Sequence, residues 1–164
     1  MTHPIWGYFF KENEHRRTLG QMLAELPVFE GVKRRELVLV ERILHPRRYK
    51  NGETVFVQEE PGAAMYIVQS GAVAIRRDGN PLAHLEPGSF FGEMALLEDA
   101  PRSATAEAVG ETELLALSQP DLMALLERHP KTGARIFLNL GRMMSRRLRK
   151  ANDNLETLRQ SAAG

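Results

Sequence analysis

One short stretch of the chain, residues 90–106, combines residue types that could bind a small anionic ligand. Gly92 permits close approach of the backbone to a ligand. Glu93 begins a segment that can form one helical turn, whose free N–H groups attract an anion. Arg102 then adds a fork of donors that suits two phosphate oxygens, and Ser103 adds a hydroxyl. The residue types in this stretch therefore favour a phosphate group as the ligand.

The carboxylate of Glu93 does not suit phosphate, but it is a good acceptor for a sugar hydroxyl. An anion and a hydroxyl held close together are the pattern of a phosphorylated ribose. From the chemistry alone a second interpretation stays open, in which Glu93 and Arg102 pair with each other and hold the turn.

Composition excludes several classes of site. The chain has 164 residues, 43% hydrophobic and 26% charged residues, a net charge of +1 and no cysteine. Disulfides, thiolate metal sites and cysteine nucleophiles are therefore absent. Such a small net charge provides no general electrostatic attraction for nucleic acid or a membrane.

No apolar run approaches the roughly 20 residues that a membrane span needs. The N-terminus lacks a basic leader, so we expect no signal peptide and a cytoplasmic location. The 5 histidines are scattered, without the paired spacing of a metal site. Because no nucleophile–base pair is evident either, we expect neither a metal nor enzymatic activity.

Hydrophobic periodicity predicts helices at both ends of the chain. A helical pattern runs from Lys11 to Leu26, a second short helix from Arg35 to Leu44, and a third from a cap at Ser118 to His129. The last helix is expected over residues 132–160, roughly 40 Å long. Residues 1–10 form an aromatic-rich arm that packs on the domain or a neighbouring subunit, or docks a partner.

Between the helices the period changes to two, and glycine-containing turns recur about every ten residues, as in a β-sandwich or barrel. The predicted strands are Glu53–Val57, Met65–Gln69, Ala72–Arg76, Pro81–Leu85, Ser89–Phe91, Ala104–Ala108 and Glu113–Leu117. The fold class is therefore α+β: an antiparallel, jelly-roll-like β-roll with N-terminal helices and two C-terminal helices. We divide the chain into three parts. Residues 1–26 form an arm and a helix, residues 27–130 form the β-roll, which contains the ligand-binding stretch (the cassette) at 90–106, and residues 131–164 form a long lid or dimerisation helix.

The last helix carries an apolar stripe that is longer than a small β domain can cover. It comprises Phe137, Leu140, Met144, Leu148, Ala151, Leu155 and Leu158. A symmetric two-helix coil between subunits is the simplest partner. A frayed, solvated end and docking to a different protein are the alternatives. A basic run on the same helix, between Arg142 and Lys150, indicates a solvated face, or a contact with nucleotide or an acidic partner.

The motifs Phe91–Leu97 and Pro101–Thr105 closely resemble the phosphate-binding cassette of the cyclic nucleotide-binding domain family. This family includes catabolite activator proteins, regulatory subunits of cyclic AMP-dependent kinase and cyclic nucleotide-gated channels. The resemblance extends from about Leu26 to about Leu148. The chain resembles a freestanding, bacterial-type member without a helix-turn-helix, since only 16 residues follow Leu148 (164 − 148).

The resemblance implies roles for individual residues. Glu93 would hold the ribose 2′-hydroxyl, Arg102 would neutralise the cyclic phosphate, and Ser103 would contact the phosphate and, as in some members of the family, the base. Backbone N–H groups near Gly92, Met94 and Ala104 would complete the cage. The implied pocket wall is Ile75, Leu82, Ala83 and Phe91, and the implied lid residues on the last helix are Arg147 and Asn152.

The resemblance also implies the function: a regulatory module that binds cyclic AMP, with cyclic GMP as the other candidate ligand. It would signal through its C-terminal helix to a dimer mate or an unidentified downstream protein, without binding DNA or membrane directly. The alternative is a structural or interaction protein that dimerises and keeps the fold without a ligand. A third interpretation is a truncated transcription regulator that needs another chain for DNA affinity.

Overall fold

The structure is a computed structural model that describes residues 18–162. The helices are α1 (Leu19–Glu25), α2 (Arg34–Glu41), α3 (Gln119–Arg128) and α4 (Pro130–Ala162), with short 3₁₀ helices at Pro27–Phe29 and Glu93–Leu96. The strands are β1 (Leu44–Tyr49), β2 (Thr54–Phe56), β3 (Ala64–Arg77), β4 (Asn80–Leu85), β5 (Phe90–Phe91) and β6 (Thr105–Ser118). The predicted aromatic arm and the predicted helix start at Lys11 lie outside the described residues.

All strand pairs are antiparallel, in the order β1-β6-β3-β4, with β2 added to β6 and β5 added to β3. The two long strands, β3 and β6, each use different partners along their two halves. The register between them shifts on both sides of Ser70. Because such bulges bend and twist a strand pair, the sheet rolls over on itself at this point. The predicted α+β fold with an antiparallel β-roll and a long last helix is confirmed.

The register shifts also let one strand serve two hydrophobic cores. Met65 and Ile67 of β3 pack with the helices, whereas Val68 and Val73 belong to the core inside the roll. Side chains alternate between the faces of a strand, so Val68 and Val73 can share a face only if the strand is irregular between them. The bulge at Ser70 therefore builds the inner core against which the cassette packs.

Several predicted boundaries were wrong. Leu44 begins β1 instead of ending the second helix, because it pairs with Leu117 of β6. The segments Met65–Gln69 and Ala72–Arg76 are one strand, and so are Ala104–Ala108 and Glu113–Leu117. The glycines between these segments lie at the bend of the roll and do not end the strands.

The predicted cap of α3 is confirmed. The Ser118 hydroxyl accepts from the Asp121 N–H at 3.2 Å and donates to the Asp121 carboxylate at 2.5 Å. The hydrogen bonds with the Ser118 hydroxyl lower the pKa of Asp121, and His45 lowers it further by a smaller amount. Partial burial of the Asp121 carboxylate has the opposite effect on this pKa. Among residues 18–162, no helix has both the length and the apolar character of a membrane span.

Gly71 provides a test of the bend. Its φ is +76°, and an added Cβ would lie 2.4 Å from the carbonyl oxygen of Glu111. Gly79 has a similar φ of +78° but open space around it. We expect Gly79→Ala to cost about 1–2 kcal/mol of stability for the left-handed backbone. Gly71→Ala should cost about 1–3 kcal/mol more from overpacking. Urea unfolding of both variants measures the difference, and equal costs would contradict a close contact at the bend.

Candidate ligand-binding site

A cavity of about 310 Å³ lies between the β-roll, the cassette and α4. This volume is at the lower end of the range of small-molecule sites. Its lining includes every residue that the sequence predicted for the site except Asn152: Ile75, Leu82, Ala83, Phe91, Gly92, Glu93, Met94, Arg102, Ser103, Ala104 and Arg147. The fold thus brings strands β4 and β5, the cassette and the last helix to one place.

The guanidinium of Arg102 is buried in a closely fitted seat, and the residue is only 7% exposed. It lies over the ring of Phe56, with its central carbon 4.1 Å from the ring centroid. A Cβ at Gly62 would come within 2.7 Å of its Nε, and one at Gly92 within 2.8 Å of its Nη1. Only glycine at both positions therefore lets the arginine reach this place.

Backbone groups hold Arg102 from both ends of the residue. Its Nη2 donates to the carbonyl of Ala64 at 2.9 Å, and its Nη1 donates to the carbonyl of Gly92 at 3.4 Å. Its own N–H donates to the carbonyl of Glu60, and its carbonyl accepts from the N–H of Glu59, both at 2.8 Å. Backbone contacts thus fix the orientation of the guanidinium.

One nitrogen atom of this guanidinium has no hydrogen-bond partner among the described residues. The Nε atom of Arg102 is buried and forms no hydrogen bond within the described part of the chain. Burial lowers the pKa of Arg102, whereas Tyr66 and Glu93 oppose that shift. An arginine remains charged in proteins, so the site holds a buried cation with unused donor capacity. Such a group favours an anion as its partner.

Glu93 follows Gly92, which adopts a φ of +74° and turns the chain into the short 3₁₀ helix. The Glu93 side chain is 5% exposed, and its Oε1 accepts a hydrogen bond from Nη1 of Arg147, whose side chain is 56% exposed. The pairing of Glu93 with Arg102 that the chemistry alone left open is therefore not formed. Instead the carboxylate pairs with the last helix, far away in the sequence.

An aromatic cluster supports the seat of Arg102. The rings of Phe56, Tyr66 and Phe91 have centroids 5.5–5.9 Å apart, and those of Tyr66 and Phe91 are stacked. Phe56 and Gly62 were not predicted as site residues, because neither lies in a motif near the cassette. The local sequence Pro61-Gly62 indicates only a turn, and a β-bridge between Pro61 and Pro101 brings this turn to the site.

Asn152, predicted as a lid residue, does not line the cavity. It is exposed, and it lies next to Leu155 and Glu156 on the surface of α4. Its position is five residues beyond Arg147, about 7.5 Å further along the helix axis. Within residues 18–162, no group of three or more histidine, aspartate or glutamate side chains could hold a metal ion.

The fold and the cavity define a class of protein: a β-roll domain with a cavity that holds a buried cation and is lined on one side by a C-terminal helix. The profile of the cyclic nucleotide-binding domain matches residues 46–129. The chain therefore belongs to the cyclic nucleotide-binding domain family.

Known proteins of similar sequence include a cyclic AMP receptor protein of Thermus thermophilus, 40% identical over 137 residues. That alignment covers 80% of this chain and 62% of the receptor. A cyclic nucleotide-gated potassium channel of Mesorhizobium japonicum is 38% identical over 117 residues, which cover 71% of this chain and 32% of the channel. The crystal structure of the Thermus thermophilus catabolite activator protein matches with a TM-score of 0.72 and 41% identity, over 80% of this chain and 62% of that one. The chain thus spans less than two thirds of the length of these relatives.

Replacing Arg147 with Gln tests whether the ion pair with Glu93 joins α4 to the cassette. This substitution leaves the buried Glu93 carboxylate without its hydrogen-bond partner, which should lower the stability of the protein by about 1–3 kcal/mol. We expect faster hydrogen exchange at the amides of residues 93–97 and 145–150. Arg146→Gln removes the same charge from the neighbouring position, which faces a different part of the α4 surface, and should leave exchange unchanged. Equal exchange in both variants would show that the pair does not hold the helix.

Proposed function

We propose that this protein is a cyclic nucleotide sensor that binds cyclic AMP and signals through α4. The observation that carries the proposal is the buried guanidinium of Arg102, whose Nε has no hydrogen-bond partner in residues 18–162. It lines the same cavity as the buried carboxylate of Glu93. One cation for an anion and one acceptor for a hydroxyl match a cyclic ribose phosphate.

In this proposal Arg102 holds the cyclic phosphate, with Ser103 and the N–H groups near Gly92, Met94 and Ala104 completing the cage. Glu93 accepts the ribose 2′-hydroxyl. The apolar residues Ile75, Leu82, Ala83 and Phe91 would contact the sugar and base. Leu82 is 59% exposed, so a bound base would cover apolar surface at the mouth of the cavity. Burial of that apolar surface would add roughly 25 cal/mol per Å² to the binding free energy.

The lining of the cavity does not decide the base, so the choice rests on a relative. Every lining residue on β3 and β4 is apolar, so these strands would offer the base no side-chain hydrogen bond. Discrimination between adenine and guanine would then fall to Ser103 and to α4. We favour cyclic AMP because the Thermus relative is a cyclic AMP receptor protein, and cyclic GMP is the second candidate.

Signalling would use α4, because this helix lines the cavity through Arg147 and also extends beyond the domain. The ligand would shift the population of α4 positions in proportion to its different affinities for them. We further propose that the protein acts in the cytoplasm as a regulatory module without enzymatic activity.

The distal half of α4 supports a homodimer. Leu148, Leu155 and Leu158 are 63%, 54% and 66% exposed, whereas Leu140 on the proximal half is fully buried. Together with Ala151 they recur at intervals of three and four residues, the spacing of a two-helix coil. A second copy supplies a helix with the same spacing, so we propose that the partner is an identical chain. The downstream protein would then bind the dimer.

Calorimetry with cyclic AMP and cyclic GMP tests the ligand. Arg102→Ala should cost roughly 2–5 kcal/mol of binding, on the order of 30-fold to several-thousand-fold in affinity. Arg128→Ala, which removes an exposed arginine at the end of α3, should bind as the wild type does. A folded wild-type protein that binds neither nucleotide at high micromolar concentration would refute sensing. In the alternative of a ligand-independent interaction protein, Arg102→Ala would retain partner binding and the nucleotide would not affect it.

Sedimentation velocity tests the dimer. Leu155→Gln should weaken self-association by roughly 5- to 150-fold, since it places a polar group in the apolar stripe, at a cost of about 1–3 kcal/mol. Leu138→Gln changes an exposed leucine on another side of α4 and should have no such effect. A wild-type chain that sediments as a monomer would show that a different protein, or solvent, covers the stripe.

A further inference from the structure

The apolar wall that β4 adds to the cavity contains a β-bulge. Leu82 and Ala83 are consecutive in the sequence, yet both line the cavity. Side chains on a regular strand alternate between its two faces, so two neighbours do not normally share one face. Ala83 pairs with Ile75 of β3, whereas Pro81 pairs with the next residue of β3, so Leu82 is an extra residue in this register. Bulges of this kind redirect a side chain, and here Leu82 joins Ala83 at the cavity.

The end of the hairpin that carries Leu82 has little support from strand pairing. Among the described strands, β4 pairs with β3 alone. Beyond the bulge the register continues with Arg76–Pro81 and Arg77–Asn80, and proline has no N–H to donate. A short two-stranded ribbon is marginally stable by itself. The position of Leu82, which is 59% exposed, thus depends on what holds the tip of the hairpin.

Gln58, in the loop between β2 and β3, holds that tip. Its Nε2 donates to Oδ1 of Asp78, and the N–H of Asp78 donates to its Oε1, both at 2.9 Å. Asp78 begins the turn that joins β3 to β4, with a φ of +51°. Two hydrogen bonds between the same two residues fix the direction of the turn as well as its distance from Gln58. Within residues 18–162, the contacts that Arg77 and Asn80 make with Asp78 stay inside the hairpin.

The loop that carries Gln58 is also tied to the segment that holds the buried cation. The N–H of Gln58 donates to the hydroxyl of Thr105 at 2.9 Å. The N–H of Glu59 donates to the carbonyl of Arg102 at 2.8 Å. Glu59 adopts a φ of +69°, which is unfavourable for a residue with a side chain, so the loop accepts backbone strain at this point. Gln58 therefore connects the apolar wall of the cavity to the segment around Arg102.

We propose that Gln58 is a positioning residue that acts through Leu82. By holding the β3–β4 turn, it keeps Leu82 at the mouth of the cavity, where the base of a nucleotide would bind. The inference rests on the proposed function, since it concerns the same cavity and the same ligand. Its consequence is that nucleotide affinity depends on a side chain that does not itself line the cavity.

A double-mutant cycle, measured by calorimetry with cyclic AMP on the full chain, tests this mechanism. Gln58→Ala should weaken binding by about 3- to 10-fold, the effect of losing one ordinary hydrogen bond. In the Leu82→Ala background the contact that Gln58 positions is gone, so the same substitution should weaken binding by less than about twofold. Asn80→Ala removes a polar side chain whose hydrogen bond stays within the hairpin, and it should bind as the wild type does.

An exchange of side-chain types tests the two hydrogen bonds themselves. Gln58→Glu alone places a carboxylate against that of Asp78 and should weaken binding at least as much as Gln58→Ala. Adding Asp78→Asn restores one amide and one carboxylate with their roles reversed, and asparagine tolerates a positive φ. The double variant should therefore recover most of the wild-type affinity.

Hydrogen exchange of the ligand-free protein supplies a second readout. Gln58→Ala should speed exchange at the amides of residues 80–85 and leave that of residues 93–97 unchanged, because the clasp holds the hairpin and not the cassette.

Three results would overturn the inference: wild-type affinity in Gln58→Ala, no recovery in the exchanged pair, or an equal loss of affinity from Gln58→Ala in both backgrounds. The last result would show that Gln58 acts on the segment around Arg102 instead of on Leu82. In each case cyclic AMP binding by the wild type would still support the proposed function. A wild type that binds neither cyclic nucleotide would refute both.

Discussion

The structure depends on the burial of one cation. The guanidinium of Arg102 is almost fully removed from water, which is costly unless nearby groups compensate. Two backbone carbonyls and the face of Phe56 provide that compensation. Gly62 and Gly92 have no side chains because the guanidinium occupies the space that a Cβ would need. The Nε atom of Arg102 remains a buried donor that no group in the described part of the chain satisfies.

The position of the Arg102 guanidinium depends on the rolled shape of the sheet. Phe56 comes from β2, Ala64 from the start of β3, and Gly92 from the turn after β5. These segments meet because β3 and β6 change partners midway and fold the sheet over at Ser70. The inner core of the roll then supports the aromatic rings from behind. In a sheet without that bend, the same cassette sequence would have no inner core to pack against.

The last helix divides its length between two environments. Its proximal half is part of the main core through Ile136, Leu140 and Met143, and the side chain of Asn139 bonds to the carbonyls of Val28 and Glu30. Its distal half has exposed leucines, and Arg147, between the two regions, pairs with Glu93. A helix that is fixed at one end and held by an ion pair further along is suited to report the occupancy of the cavity.

The sequence by itself determined the cassette, the fold class and the long helix, because their signals are local: contiguous motifs, turn glycines and periodic apolar residues. Only the tertiary structure decided which distant groups meet. It joined Glu93 to Arg147 instead of Arg102, brought Phe56 and Gly62 to the arginine, left Asn152 outside the cavity and began β1 at Leu44. These outcomes depend on strand register and on the rotation of α4 about its axis, and a shift of one residue in either would point different side chains into the cavity.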